Sequence, residues 1–315
     1  MDKSKNVKYF QVAQGVWGMK IGFVNVFMIA NRRGVAKGWV LVDAGLRGSA
    51  KKIISMAESI FGPGTKPAAI ILTHGHFDHV GGLEELLTYW DVPVYAHPLE
   101  IPYLNGSSSY PPADPTVGGG LMSLLSFLYP RKPVDLIGKV RSIDMQDCIA
   151  ELPEWRCIHT PGHTPGHVSL FLPLNATLIA GDTFVTTKAE SAFYALRAIK
   201  KMSGPPKYFT TDWDAAEQSV KKLLALEPRM AATGHGPVVR GKELQTSLQH
   251  LAAHFKEVAV PKSGRYTGHP ALADEQGVEY VPAQVLGVNG TIAVSVAALI
   301  AGFITVRFLR KRLTS

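Results

Sequence analysis

The stretch THGHFDHVGG, residues 73–82, places His74, His76, Asp78 and His79 within six positions and follows them with two glycines. Imidazole and carboxylate are the ligands that zinc, iron and manganese accept. Four of them in H-x-H-x-D-H spacing on one tight turn can face two metal ions from a single loop, and no packing rule asks for such a cluster. Just before it, AAIIL at 68–72 is a short apolar run, read as a buried strand. Just after it, Leu83, Leu86 and Leu87 recur at helical spacing. The cluster therefore sits on a turn between the C-terminal end of a strand and the start of a helix, where α/β proteins place chemistry.

Two ions need more ligands than one loop supplies. TPGHTPGH offers His163 and His167, AGDTF offers Asp182, and TGHGP offers His235. Each follows an apolar strand-like run and is flanked by glycine, which lets a backbone turn sharply and ligands crowd together. This set, over about residues 9–257, resembles the metallo-β-lactamase superfamily of hydrolases. The resemblance implies that His74, His76 and His163 hold one metal, that Asp78, His79 and His235 hold the other, and that Asp182 bridges both. The metals expected are two divalent ions, zinc first, with manganese or iron as alternatives. It also implies that Asp43, closing VLVDAG, stands behind the ligands and is not one of them. His167 reads as a hydrogen-bonding neighbour, His97 and His159 as structural, and His250, His254 and His269 as solvated.

Two ions about 3.5–4 Å apart share a hydroxide at neutral pH. The expected reaction is hydrolysis of an ester, lactone, thioester or phosphodiester by that metal-bridging hydroxide. Asp78 is the expected catalytic group, orienting the nucleophile and passing a proton to the leaving group. No G-x-S-x-G elbow, P-loop or G-x-G-x-x-G after a strand offers another chemistry. The alternative within the resemblance is a mononuclear-iron, persulfide dioxygenase-like oxidoreductase. In similar lactonases a tyrosine three residues after the bridging aspartate assists; here that position is Val185, and Tyr194 is the nearest substitute in sequence. An insert at 103–133 containing LMSLLSFLY reads either as a lid over the site or as a core helix.

The elements that must position these residues come in two blocks. Residues 7–45 read as β structure, 48–61 as a helix, 68–72 as a strand, 82–90 as a helix, and VPVYAHP as another strand. A second β block spans about 155–181, with helical patterns at 186–201, 214–226 and 241–257. Asp214 and Glu217 fit a capping box, and Leu244, Leu248, Leu251 and Phe255 form an ordinary core stripe. Two blocks of strands followed by helices suggest two sheets packed together with helices outside. The fold class is α/β, and the resemblance sharpens it to a four-layer αβ/βα metallo-β-lactamase sandwich.

The chain has 315 residues, 46% hydrophobic and 18% charged, a globular balance with ample core material. Four of its +8 net charges lie in RFLRKRLTS at 307–315, so half the basic excess is a tail and no nucleic-acid partner is expected. Cys148 and Cys157 lack CxxC spacing and read as free thiols. VLGVNGTIAVSVAALIAGFITV, residues 285–306, carries no charge and as a helix would span roughly 33 Å, enough for a bilayer core. The expected organisation is a catalytic domain at 1–257, a Pro- and Gly-rich linker at 258–284, a transmembrane helix at 285–306 and a basic tail at 307–315. The expected partners are a small-molecule or lipid substrate and the membrane. The N-terminus lacks a signal peptide's apolar core, so the catalytic domain is expected on the cytoplasmic side.

Overall fold

The computed structural model describes residues 8–31, 38–132, 134–146 and 148–284. In chain order the elements are β1 (Phe10–Ala13), β2 (Val16–Ile21), β3 (Val24–Ala30), β4 (Trp39–Val42), α1 (Ala50–Phe61), β5 (Ala69–Ile71), α2 (Phe77–Val80), α3 (Leu83–Trp90) and β6 (Val94–Ala96). Next come α4 (Ile101–Leu104), α5 (Leu121–Leu124), β7 (Val140–Ser142), β8 (Arg156–His159), β9 (Val168–Leu172), β10 (Thr177–Ile179) and α6 (Ala192–Arg197). The described chain closes with α7 (Trp213–Leu224), β11 (Met230–Ala232), β12 (Val239–Arg240), α8 (Gly241–Ala253), α9 (Phe255–Val258), β13 (Leu272–Asp274) and β14 (Gly277–Tyr280).

Strands β1 to β7 form one sheet in sequential order, antiparallel through β4 and parallel from β4 to β7. The second sheet runs β12-β11-β10-β9-β8, with β10 and β11 parallel. Three apolar clusters define the layers. Ile53, Met56, Leu83 and Leu86 of α1 and α3 pack on the outer face of the first sheet against Val26, Leu41 and Ile70. Val40, Val42 and Ile71 meet Val168, Leu170 and Ile179 between the sheets. Trp213, Val220, Leu244 and Leu248 of α7 and α8 cover the outer face of the second sheet. Alternating residues of one strand feed different layers, Leu41 outward and Val40 and Val42 inward, as the two-residue strand period requires. This is the expected α/β/β/α sandwich.

Several local expectations are corrected. The helix expected at 186–201 shrinks to α6, because Val185 and Ser203 exchange both backbone hydrogen bonds, at 3.1 and 2.9 Å, and hold that stretch extended. The cap of α7 is Asp212, whose side chain accepts from the Ala215 amide at 2.9 Å; Asp214 lies inside the first turn. Cys148 and Cys157 are joined in a disulfide inside the inter-sheet layer. The stretch 258–284 is no free linker: it carries the β13–β14 hairpin, Tyr266 donates to the Pro112 carbonyl at 2.6 Å, and Arg265 bonds Pro282 and Gln284. The 285–306 span lies outside the described residues; among the described residues no helix is long and apolar enough to cross a membrane.

Candidate metal centre

Every residue singled out for chemistry sits just past the C-terminal end of a strand or on a loop beside one. Asp43 follows β4, residues 73–79 follow β5, His163 lies on the β8–β9 loop, Asp182 follows β10 and His235 follows β11. Parallel pairing of β4 with β5 and of β10 with β11 points these ends the same way. Packing the two sheets face to face then brings both groups of loops together.

The ligand atoms converge. One nitrogen each from His74, His76 and His163 lie within 4.8 Å of one another, and so do the ligand atoms of Asp78, His79 and His235. His76 Nδ1 and His163 Nε2 are 3.1 Å apart. Asp182 Oδ2 lies 3.0 Å from His235 Nε2, 3.7 Å from His79 Nε2 and 3.6 Å from His163 Nε2, so it reaches both groups. All seven side chains are buried.

The second ring nitrogens explain the orientations. His79 Nδ1 donates to Asp43 Oδ2 at 2.8 Å. Thr73 Oγ1 donates to the same carboxylate and accepts from His74 Nδ1 at 3.1 Å. His235 Nδ1 donates to the Phe23 carbonyl at 2.9 Å. In each case the outer nitrogen is occupied and Nε2 is left with its lone pair facing inward, the arrangement that metal-binding histidines use. Asp43 is thus a support, as the sequence suggested. His167 differs: its Nε2 accepts from the Asp182 amide at 2.8 Å, so its lone pair is already used and it is a neighbour and not a ligand.

His74 Nε2, His79 Nε2 and Asp182 Oδ1 are buried without a hydrogen-bond partner. Each orphan costs on the order of 1–3 kcal/mol in a dry interior. A cation among them satisfies all three, so the residues fit the two ions that the spacing implied. Burial, reinforced by neighbouring imidazoles, holds His74 and His76 well below the usual histidine range, and burial pulls His163 down to about 3. These rings are neutral, as ligands must be. Burial also works against protonated His79 and His235, but Asp43 at His79, and Asp182 and Asp78 at both, outweigh it and raise them. Burial raises the Asp78 carboxyl, against the pull of His79 and His235. A metal ion needs both rings neutral, so its binding competes with their protonation.

Sequence reasoning missed two supporting residues. Buried Glu100 accepts from the Gly75 amide at 2.9 Å, the Gly166 amide at 2.8 Å and Thr164 Oγ1 at 2.7 Å, and from the Tyr110 hydroxyl. It ties the His74–His76 loop to the His163 loop. Its only sequence signal is a lone charge inside the apolar run LEIPYL. Tyr110 also packs against His76, its ring tilted to the imidazole with centroids 4.5 Å apart. The 103–133 insert is no core helix. It breaks into α5 and a single turn at Ser126–Leu128, and its Tyr129 packs on Phe77 and Phe209, the latter stacked on His76 at 4.3 Å. Tyr194 lies on α6, its ring edge-on to that of Phe193.

Residues 19–235 match the metallo-beta-lactamase superfamily. The chain belongs to that superfamily. With its His/Asp set it is a metal-dependent hydrolase with a binuclear-type site. The probable metallo-hydrolase YflN of Bacillus subtilis is 42% identical over 249 residues, covering 79% of this chain and 94% of YflN. A beta-lactamase domain protein from Burkholderia ambifaria shares the fold with a TM-score of 0.54 at 20% identity, over 80% of this chain and 76% of that one. The BLEG-1 B3 metallo-beta-lactamase does so with a TM-score of 0.51 at 24% identity, over 76% of this chain and 97% of that one.

Proposed function

We propose that this superfamily member hydrolyses an ester, lactone, thioester or phosphodiester, with His74, His76 and His163 holding one divalent ion, Asp78, His79 and His235 a second, and Asp182 between them. The observation that carries this reading is the set of buried, unpartnered ligand atoms on His74, His79 and Asp182, which belong to both groups. That both groups are furnished favours two ions over the single iron of an oxygenase. Bound there, the ions supply Lewis acidity and an activated water. The donor set suits zinc, manganese or iron.

The chain's own residues do the rest. Asp78 Oδ2 lies 3.5 Å from His235 Nε2 and 4.0 Å from His79 Nε2, inside the cluster. Its raised carboxyl suits a group that takes a proton and hands it on. Burial, with Asp78 as a lesser cause, pushes the Tyr129 phenol up to about 12 and raises Tyr208 well above the usual tyrosine range, so both stay protonated. A cavity of about 810 Å³ adjoins the metal-binding loop at Gly75 and Phe77 and is lined by Tyr103, Tyr110, Arg47 and Arg131. That volume falls in the range of small-molecule sites.

The apolar span at 285–306 supports anchoring of the enzyme to a membrane. The Cys148–Cys157 disulfide and the basic run Arg307–Arg312 both favour the catalytic domain on the oxidising side, against the cytoplasmic expectation.

A screen of purified protein against these four substrate classes, with elemental analysis, tests the function. Asp78→Asn should keep the fold and much of the metal yet lower kcat by about 10²-fold or more. An unchanged kcat on the best substrate rejects the role given to Asp78.

A further inference from the structure

Five large apolar side chains stand exposed around the cap of the metal centre. Leu121, Phe127, Leu128, Phe193 and Leu196 are each between 39% and 58% exposed. They come from two segments that touch: the Met122 amide donates to the Glu190 carbonyl at 3.0 Å, and α6 begins two residues later. The approach is so close that a Cβ on Gly120 would lie 2.5 Å from that carbonyl oxygen. Beneath this face Met122 and Tyr129 pack with Phe77, Tyr208 and Phe209, the group that covers His76. Scattered exposed leucines need no explanation, but several large apolar groups on adjoining segments mark an interaction site.

The surroundings are basic. Lys188, Lys201 and Lys207 line one cavity of about 370 Å³ with a single carboxylate, Glu190. Burial lowers the Lys207 ammonium and Glu190 opposes, while Lys188 and Lys201 stand close enough to add to the lowering. The Arg197 guanidinium sits 4.9 Å over the Phe193 ring, and Lys20 donates to the Leu196 carbonyl. At the other side of the patch, Phe127 and Arg131 share a cavity with Gln284, whose amide donates to Asp114 and Thr116. Gln284 is the last residue before the uncharged stretch 285–306. The chain thus leaves the described body beside the apolar patch.

We propose that this face, with Leu121, Phe127, Leu128, Phe193 and Leu196 at its centre and Lys188, Lys201 and Lys207 at its edge, docks onto an anionic lipid bilayer and turns the cap of the metal centre toward it. The inference deepens the anchoring reading above and rests on it for the position of the tail. Apolar side chains enter the headgroup boundary while lysines meet the phosphates, so the two attractions act together on one face. A substrate with an acyl chain then reaches the site without crossing water.

The full-length protein tests this on phosphatidylcholine vesicles with or without phosphatidylglycerol. Leu128→Cys, Phe193→Cys and Leu174→Cys each carry an environment-sensitive fluorophore; Leu174 lies beyond the far end of β9, away from the site. The expected result is a blue shift at 128 and 193, with quenching by spin-labelled lipid, and neither change at 174. Lys188→Glu with Lys201→Glu should abolish both changes while the protein still pellets with vesicles. Pelleting with unquenched probes at 128 and 193, or equal quenching at 174, overturns the docking face and leaves the tail anchor standing. Loss of pelleting in the lysine variant supports the face and rejects the tail as the anchor. Failure of the unsubstituted chain to pellet overturns both. A concentration-dependent shift without lipid overturns the lipid assignment in favour of a second copy of the chain.

Discussion

Asp43 Oδ2 accepts a hydrogen bond from His79 Nδ1 at 2.8 Å, and the same carboxylate takes the Thr73 hydroxyl that receives His74 Nδ1. One buried side chain therefore orients a ligand of each metal group. Asp43 achieves this from a left-handed backbone position at the end of β4, φ 61°, which aspartate tolerates better than most residues. Asp43→Asn keeps the shape but replaces one oxygen with an amide that cannot accept. Metal affinity should fall about 10–100-fold, the usual cost of losing such a support. Competition with a chelator measures it, and equal affinities for the two proteins would show that His79 and His74 hold their orientation unaided.

Glu100 should matter more to the fold than its distance from the ligands suggests. Four donors from three segments converge on it. Glu100→Ala strands them in a dry interior and should cost at least about 2 kcal/mol. Urea unfolding reads this as a lower midpoint, and metal titration should show weaker binding because His76 and His163 lose their common tether. A midpoint equal to that of the unsubstituted protein would mean that water replaces the carboxylate.

The candidate ligands stood out in the sequence because ligation demands particular side chains at fixed spacing, and the structure brings those of the 73–79 turn together with His163, Asp182 and His235. The layers were legible because α3 and α8 carry clean helical stripes, Leu83, Leu86 and Leu87 on one and Leu244, Leu248 and Leu251 on the other. What stayed hidden depends on contacts distant in sequence. The extended path near Val185 exists because Ser203 pairs with it. Glu100 acquires its role only when residues 75, 110, 164 and 166 arrive around it. The Cys148–Cys157 pairing needs a local turn, with Cys148 at φ 59°, that no spacing rule announces.

That pairing gives a chemical test. Protein purified without reductant and then unfolded should show no free thiol, since both cysteines of the chain are in the disulfide. After reduction two thiols should appear, and thermal stability should drop by about 2–4 kcal/mol, the usual effect of opening such a loop. Two thiols before reduction would place the catalytic domain in a reducing compartment.

Acid should destabilise the fold through the His97–His159 pair, whose rings stack with centroids 4.1 Å apart. Burial, and then His159, pulls His97 down to about 4. Its Nδ1 accepts from the Leu99 amide at 3.2 Å, which only the neutral ring can do. Near His159 the Lys222 ammonium, bonded to the His159 carbonyl, adds positive charge. The unfolded chain takes up this proton near pH 6.5 and the folded one only near pH 4. The unfolded state therefore binds more protons in that window, and stability falls as pH falls from about 6.5 to 4. His97→Gln should flatten this limb of a plot of Tm against pH, whereas an unchanged slope would assign the acid sensitivity to other groups.

Gly234 offers a way to disrupt the centre without touching a ligand. A Cβ at this position would lie 2.0 Å from Asp182 Oδ1 and 2.8 Å from His79 Cε1. Its amide donates to the Gly181 carbonyl at 2.8 Å, and its carbonyl accepts from the Asn25 amide at 2.7 Å, so the backbone is held from both sides and cannot retreat. Gly234→Ala must therefore push Asp182 out of the position from which it reaches both metal groups. The expected outcome is loss of at least one metal per chain by elemental analysis, matching Asp182→Ala, and loss of hydrolysis with it. Because the seven ligands remain, high external zinc or manganese should restore part of the metal content in Gly234→Ala but less in Asp182→Ala. Full occupancy of Gly234→Ala at ordinary metal concentrations would show that Asp182 can shift without losing either ion, and would remove it from the bridging position.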